Sequence, residues 1–169
     1  MIKLLLSGQG RISRPKFWAG FALVILVSLL GRLSLQHMGN NMWFFLLAPF
    51  FWSLFFYMLY CVYGKRLHDM GRSKGPYFAM IVVEILVMII VMLSFGGAEY
   101  FSEFSQYSRK DNIDPEIASA LTQKYQDGIK ESMHLIGPLF LAVPLLFTGW
   151  VGLSKGDAAE NRYGTPPSN

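Results

Sequence analysis

One short basic stretch, residues 63–76, which we predict to be a loop between two long apolar runs, holds most of the residue types in this chain that could do chemistry. Among its side chains able to bind anions or transfer protons are Arg66, His68, Asp69, Arg72 and Ser73. A histidine, a carboxylate and a serine within six positions of one turn rarely reach the geometry of a nucleophilic triad, and no oxyanion-hole motif accompanies them. We therefore expect no catalytic residue and no enzyme activity.

An anion-binding site is the alternative that these residue types favour. Arginine binds phosphate through two parallel hydrogen bonds, and a glycine such as Gly71 lets backbone amides approach the same ligand. The sequence predicts a pocket for a phospholipid head group or another phosphorylated ligand, built from Arg11, Arg14, Arg66, His68, Asp69, Arg72, Ser73, Asn161 and Arg162. A buried polar network that holds the loops together explains the same residues without a ligand, and both interpretations stay open.

Metal, disulfide and nucleic-acid chemistry find little support in the composition. The chain has one cysteine, Cys61, and three histidines spread along its length, so neither an intrachain disulfide nor a metal-ligand cluster is indicated. The net charge is +4, but no recognition helix or aromatic-rich RNA motif is evident. We expect no cofactor, no metal and no nucleic-acid partner.

Four apolar runs must position these residues. The 169-residue chain is 53% hydrophobic and only 15% charged, against roughly 25% charged in a soluble domain. A helix of about twenty apolar residues crosses the roughly 30 Å of hydrocarbon in a bilayer. The runs lack the alternation of a transmembrane barrel, so we predict an all-α membrane protein, one four-transmembrane-helix bundle over residues 1–169. Its spans are expected at about 17–35, 43–63, 77–95 and 135–153.

The charged residues sort between the two ends of such a bundle. With the N-terminus inside, the inner segments hold ten lysines and arginines against three acids, whereas the outer side holds five bases against seven acids. Because positively charged short connections stay in the cytoplasm, both termini are predicted to be cytoplasmic. The inner surface then faces anionic lipids of the inner leaflet, which we expect as partners.

Residues 96–134 are the one sizeable polar segment, and they separate the third and fourth spans. An aromatic helical face is expected from Tyr100, Phe101, Phe104 and Tyr107. A second helix should start at Asp114, which can cap it, with Pro115 and Glu116 in the first turn. We predict a short helical extracytoplasmic insertion that lies on the membrane or on the bundle mouth; a solvated loop is the alternative.

Two charged side chains fall inside the predicted spans. Glu84 in the third span costs roughly 2.5 kcal/mol or more if it is charged and unpaired. It can be protonated and hydrogen-bonded to a neighbouring helix, or it can relay a proton or cation. Arg32 lies at the outer end of the first span, where its side chain can reach the head groups.

Three motifs together resemble those of a known family. They are Gly10-Arg11-Ile12-Ser13-Arg14 with Phe17-Trp18, then Arg66-Leu67-His68-Asp69-Met70-Gly71-Arg72-Ser73, and Asn161-Arg162-Tyr163-Gly164 with Pro166. On these motifs the chain resembles the domain-of-unknown-function 805 family of bacterial inner-membrane proteins. It departs from the family pattern at Lys74, which precedes Gly75, and in its longer acidic segment. The resemblance implies several spans in a bacterial inner membrane, and it implies no established activity.

Two functions from different classes fit these observations. The first is a non-catalytic binding or assembly component of the inner membrane, whose arginine-rich cytoplasmic site takes an anionic lipid head group or a partner membrane protein. The second is a small transporter or channel subunit that uses Glu84. Since four helices enclose little space, the second function would require a homo-oligomer.

Overall fold

The structure is a computed structural model that describes residues 2–38, 41–106 and 113–167. Over these ranges the chain is all-helical, without a β-strand, and its helices are α1 (Ile2–Leu6), α2 (Arg14–Met38), α3 (Met42–Asp69), α4 (Gly75–Met92), α5 (Ala98–Ser105), α6 (Pro115–Glu131) and α7 (Met133–Leu153). Four helical stretches are long and apolar enough to cross a membrane: α2, α3, α4 continued into α5, and α7. The prediction of an all-α chain with four such helices is confirmed.

The prediction that the whole basic stretch is a loop is wrong over residues 63–69. α3 continues to Asp69 because no proline interrupts its last turns and because these turns are buried. Gly71, two residues after the end of α3, has a φ of +67°, a conformation that favours glycine. The amide of Gly71 donates to the carbonyl of His68 at 3.1 Å, and the amide of Arg72 donates to that of Leu67 at 2.9 Å. This pair of bonds is a Schellman motif, which leaves only residues 70–74 to connect α3 with α4.

The chain divides into two compact units, and the first comprises Met1–Phe78 with Thr148–Asn169. α2 and α3 lie entirely in this unit, whereas α4 contributes only its start, up to Phe78, and α7 only its end, from Thr148. Phe17 of α2 is buried against the ring of Tyr63 of α3, with centroids 5.5 Å apart. The hydroxyl groups of Tyr63 and Thr148 lie 2.6 Å apart and join α3 to α7.

The second unit, Ala79–Phe147, contains the helices predicted between the third and fourth spans. The third span breaks at Gly96, as expected, where the backbone turns to a φ of +94° and α5 follows directly. α6 begins as predicted, because the carboxylate of Asp114 accepts the amide of Glu116 at 2.9 Å. Tyr100 lies on α5, the helix predicted for it, whereas Tyr107 falls outside the described residues.

Candidate functional site

The shared end of the four long helices in the first unit forms what we call the polar cap, which comprises residues 2–16, 63–75 and 154–167. All nine residues predicted for the anion site lie in it, although they come from segments up to about 150 residues apart in the chain. The structure therefore brings the predicted residues into one region. Their individual contacts decide which of them are available to a ligand.

Arg66 is the most deeply buried charged residue of the cap, at 1% exposure. Its Nε donates to the carbonyl of Val151 at 3.1 Å, and its Nη2 donates to that of Ser154. Its Nη1 donates to the carbonyl of Ile12 at 3.4 Å and to Oδ2 of Asp69. Two of these acceptors are carbonyls at the C-terminal end of α7, where the helix dipole favours a positive charge. The buried side chain of Arg66 thus satisfies backbone carbonyls at the C-terminal end of α7.

Arg11 makes the corresponding contacts to the C-terminal tail. Its Nε donates to Oδ1 of Asp69 at 3.1 Å. Its Nη1 donates to the carbonyls of Ala159 and Gly164, both at 2.9 Å, and its Nη2 donates to the carbonyl of Asp157. The guanidinium group of Arg11 therefore donates to three backbone carbonyls of the C-terminal tail, residues 154–167, and the tail folds around this group.

Asp69 is the shared counter-ion of both arginines, since each of its oxygens accepts from one of them. Its backbone carbonyl also accepts the amide of Asp157 at 2.7 Å. A side chain at the neighbouring Gly156 would collide with the Asp69 carboxylate, so only a glycine lets the tail approach this closely. Two guanidinium groups and one carboxylate leave one excess positive charge, which the surrounding carbonyl dipoles offset.

His68 and Asn161 hold the tail at a second point. Nδ1 of His68 lies 3.2 Å from the carbonyl of Gly10, the distance of a hydrogen bond in which Nδ1–H donates. The imidazole stacks on the ring of Tyr163 with centroids 3.8 Å apart. The amide group of Asn161 donates to the carbonyl of His68 at 3.1 Å and to Oδ2 of Asp157 at 2.7 Å. His68 is therefore a packing and hydrogen-bonding residue in this structure.

Arg14 is only half-buried, and it borders a cavity in the cap. Its Nε donates to the carbonyl of Ser154 at 3.0 Å. The cavity, about 240 Å³, is lined among others by Arg14, Arg66, Asp69 and Asp157. Two arginines and two aspartates make this space close to neutral, so its charge does not by itself select an anion.

Arg72, Ser73 and Arg162 lie at the edge of the cap, away from the buried network. The guanidinium carbon of Arg72 lies 5.2 Å from the centre of the Trp150 ring, and that of Arg162 lies 4.8 Å from the centre of its neighbour's ring, Tyr163. Ser73 uses its hydroxyl oxygen to accept the amide of Gly75 at 3.3 Å, at the start of α4. Both arginines are exposed to solvent.

Lys65 is a residue of the cap that the sequence does not single out. It is 4% exposed, and its Nζ donates to the carbonyl of Lys3 at 2.9 Å and to that of Leu4. The hydroxyl of Tyr57 donates to the carbonyl of Leu6 at 3.0 Å. These donors satisfy the C-terminal carbonyls of α1 and hold it against α3. The sequence could have indicated this role only if Lys65 had been assigned to the helix α3 rather than to a loop.

The two charged residues of the predicted spans lie in different units. Arg32 is exposed on α2 in the first unit. Glu84 lies on α4 in the second unit, and its Oε2 is shielded from solvent without a hydrogen-bond partner among the described residues. No group of three or more His, Cys, Asp and Glu side chains that could hold a metal ion occurs in the parts of the chain that the structure describes.

An all-helical chain with four membrane-spanning candidates, whose tail closes over their shared polar end, has the architecture of a membrane protein. The model of the family described as Protein of unknown function (DUF805) matches residues 5–106, so the chain belongs to this family. The match includes the first two sequence motifs, and the third, at residues 161–166, lies beyond it. No curated protein and no solved structure matches the chain.

Proposed function

We propose that this chain is a non-catalytic binding or assembly component of a bacterial inner membrane, with both termini in the cytoplasm and a polar cap that binds anionic lipid head groups. One observation carries the proposal. Ten of the fifteen lysines and arginines, but only three of the eleven acids, belong to the cap at the shared end of the four long helices. Such an excess of positive charge on one side is typical of cytoplasmic connections.

The contacts within the cap refine which residues would face the lipid. Arg11, Arg66 and Lys65 give their donors to backbone carbonyls and to Asp69, so we assign them to the framework of the cap. The basic side chains exposed on the cap are Lys3, Lys16, Arg72, Lys155 and Arg162. Each base placed near an anionic surface contributes about 1 kcal/mol of attraction. The proposed lipid contact is therefore this exposed set, with Arg14 at the cavity beside it.

Retention of lipid by the purified protein tests this proposal. Native mass spectrometry would compare bound phosphatidylglycerol with bound phosphatidylcholine for the wild type and for a triple variant, Arg72→Gln, Lys155→Gln and Arg162→Gln. We expect preferential retention of phosphatidylglycerol by the wild type and a loss of roughly tenfold or more in the variant. The matched control is Lys124→Gln with Lys130→Gln, which removes bases from the second unit. Equal retention of the two lipids by the wild type would refute the proposal.

The orientation of the cap is tested separately. Cys61 is the only cysteine, so its replacement by alanine gives a background in which Arg162→Cys and Gln123→Cys report on one side each. We expect a membrane-impermeant thiol reagent added to intact cells to label position 123 and not position 162. Labelling at position 162 alone would show that the topology is the reverse of the one proposed. Labelling at both positions would contradict the four-span arrangement.

A transporter or channel subunit is the second candidate, and Glu84 favours it. A carboxyl oxygen that is shielded and lacks a hydrogen-bond partner among the described residues is costly inside a membrane, unless it serves a proton, a cation or another polar group. Reconstituted liposomes with a pH-sensitive dye would measure proton flux. We expect flux that Glu84→Gln abolishes if this candidate is right; absence of flux in the wild type would count against it.

A further inference from the structure

A cavity of about 420 Å³ lies in the second unit, where the kink Leu93–Gly97, α5 and α6 meet. This volume falls within the range of roughly 300–1,000 Å³ for small-molecule sites. The break in the helix at Phe95 and Gly96 forms one side of it, and a side-chain carbon added at Gly96 would meet the ring of Tyr125 at 3.6 Å. None of the residues used for the polar cap belongs to this cavity.

Aromatic and apolar side chains supply part of the cavity wall. Tyr100 of α5 and Tyr125 of α6 both line it, with ring centroids 5.2 Å apart. Phe95 from the kink and Leu121 from α6 extend the same lining. A ligand in this cavity would meet the faces or edges of tyrosine rings and would bury an apolar body against them.

Carboxylate side chains supply another part of the cavity wall, and only some of these carboxylates form ion pairs. Glu103 and Lys124 form an ion pair at 3.1 Å, and the hydrogen bond from Lys124 to Glu103 raises the pKa of that lysine. Asp127 also lines the cavity and is paired with Lys130 at 2.9 Å. The two remaining carboxylates of the lining, Glu99 and Glu131, form no direct ion pair with any residue that the structure describes, although the charge of Glu99 also contributes to raising the pKa of Lys124. The lining thus keeps a net negative charge beside its tyrosine rings.

We propose that this cavity binds an organic ammonium ion, a small molecule that joins a positive charge to an apolar body. The charge is attracted both by the aromatic rings of Tyr100 and Tyr125 in the lining and by the carboxylates of Glu99 and Glu131, which form no direct ion pair among the described residues. The apolar body is covered by Phe95 and Leu121. An anion is disfavoured by the same charges. The proposal does not depend on the lipid-binding role of the cap, because it uses residues of the second unit alone.

Binding of choline to the purified full chain in detergent micelles tests the proposal. Saturation-transfer NMR would follow the methyl protons of choline and, in a parallel sample, those of its neutral isostere 3,3-dimethyl-1-butanol. We expect a signal from choline that is at least threefold stronger than that from the isostere. Equal signals would show that the positive charge is not recognised and would overturn the proposal.

Two pairs of variants assign the signal to this cavity. The double change Glu99→Gln and Glu131→Gln should weaken choline binding about tenfold, whereas Glu116→Gln at the exposed start of α6 should leave it unchanged. Gly128 lines the cavity, and a side-chain carbon added there meets nothing within 4 Å. Gly128→Met should therefore fill the space and abolish binding, while Gln126→Met, on the exposed side of the same helix, should not.

The variants are informative because each should fold. Methionine is a better helix former than glycine, and glutamine is comparable to glutamate. The substitutions should therefore not destabilise α6. Circular dichroism would check this for every variant. Choline binding that survives Gly128→Met in a folded protein would overturn the proposal, as would a loss of binding in Gln126→Met equal to that in Gly128→Met.

Discussion

The imidazole of His68 and the ring of Tyr163 lie parallel to within 3°, with centroids 3.8 Å apart. This stack joins the last turn of α3 to a tail residue 95 positions later in the chain. The stack lies beside the hydrogen bond that the side-chain amide of Asn161 donates to the backbone carbonyl of His68. The tail is thus held both by side-chain stacking and by polar contacts, and the two can be separated by substitution.

Tyr163→Leu should loosen the tail, while Tyr163→Phe should not. Leucine removes the ring partner of His68, and an aromatic pair contributes about 0.5–1.5 kcal/mol beyond its buried area; phenylalanine keeps the ring. Limited trypsin cleavage after Lys155 or Arg162 would measure the exposure of the tail. We expect cleavage several-fold faster in the leucine variant. Equal rates for the two variants would mean that the stack contributes nothing to holding the tail.

Asp69→Asn should be among the most destabilising single changes in the cap. It leaves the guanidinium groups of Arg11 and Arg66 buried without their counter-ion, and breaking a buried ion pair costs about 3–5 kcal/mol. Unfolding by SDS titration of the detergent-solubilised protein would measure the loss. Glu160→Gln is the control, because Glu160 is an exposed acid of the same tail. Similar midpoints for both variants would show that the carbonyl acceptors suffice to hold the two arginines.

Gly156→Ala should disrupt the contact between the tail and α3. A methyl group there collides with the carboxylate and backbone of Asp69, and backbone cannot move aside cheaply. Gly149→Ala places the same methyl group on α7, where nothing lies within 4 Å, and should be neutral or slightly stabilising. SDS titration of the two variants would give the difference, which we expect to exceed about 1 kcal/mol. The reverse order of stability would exclude the close approach of Gly156 to Asp69.

Local patterns in the sequence are sufficient to predict the four long apolar helices and the start of α6, but not α1. Apolar runs of about twenty residues mark the spans, and Asp114 followed by Pro115 marks the start of α6 within one residue. These features depend on neighbours within a few positions. The end of α3 is harder to predict, because the charges of Lys65, Arg66 and His68 indicate a loop, whereas helix propensity permits all three residues in a helix.

The arrangement of the cap could be predicted only in part. The sequence places Arg11, Arg66 and Asp69 together in one site, and the structure does the same. The sequence could not predict that the hydrogen-bond partners of the two arginines are mostly backbone carbonyls of residues 151–164. Every residue has a carbonyl, so such acceptors leave no mark in the sequence. Gly156 is the one informative signal, since close backbone approach excludes a side chain.

Lys65→Met gives the last test, because this buried lysine donates to two backbone carbonyls at the end of α1. Methionine keeps the apolar stem and removes the donor to the carbonyls of Lys3 and Leu4. The end of α1 then loses its cap, and unsatisfied buried carbonyls cost about 1–3 kcal/mol each. We expect faster hydrogen exchange at residues 2–6, with exchange in α6 unchanged. Lys3→Met, at an exposed side chain of the same helix, should leave exchange in α1 slow. Equally slow exchange in the Lys65 variant would mean that apolar packing alone holds α1 in place.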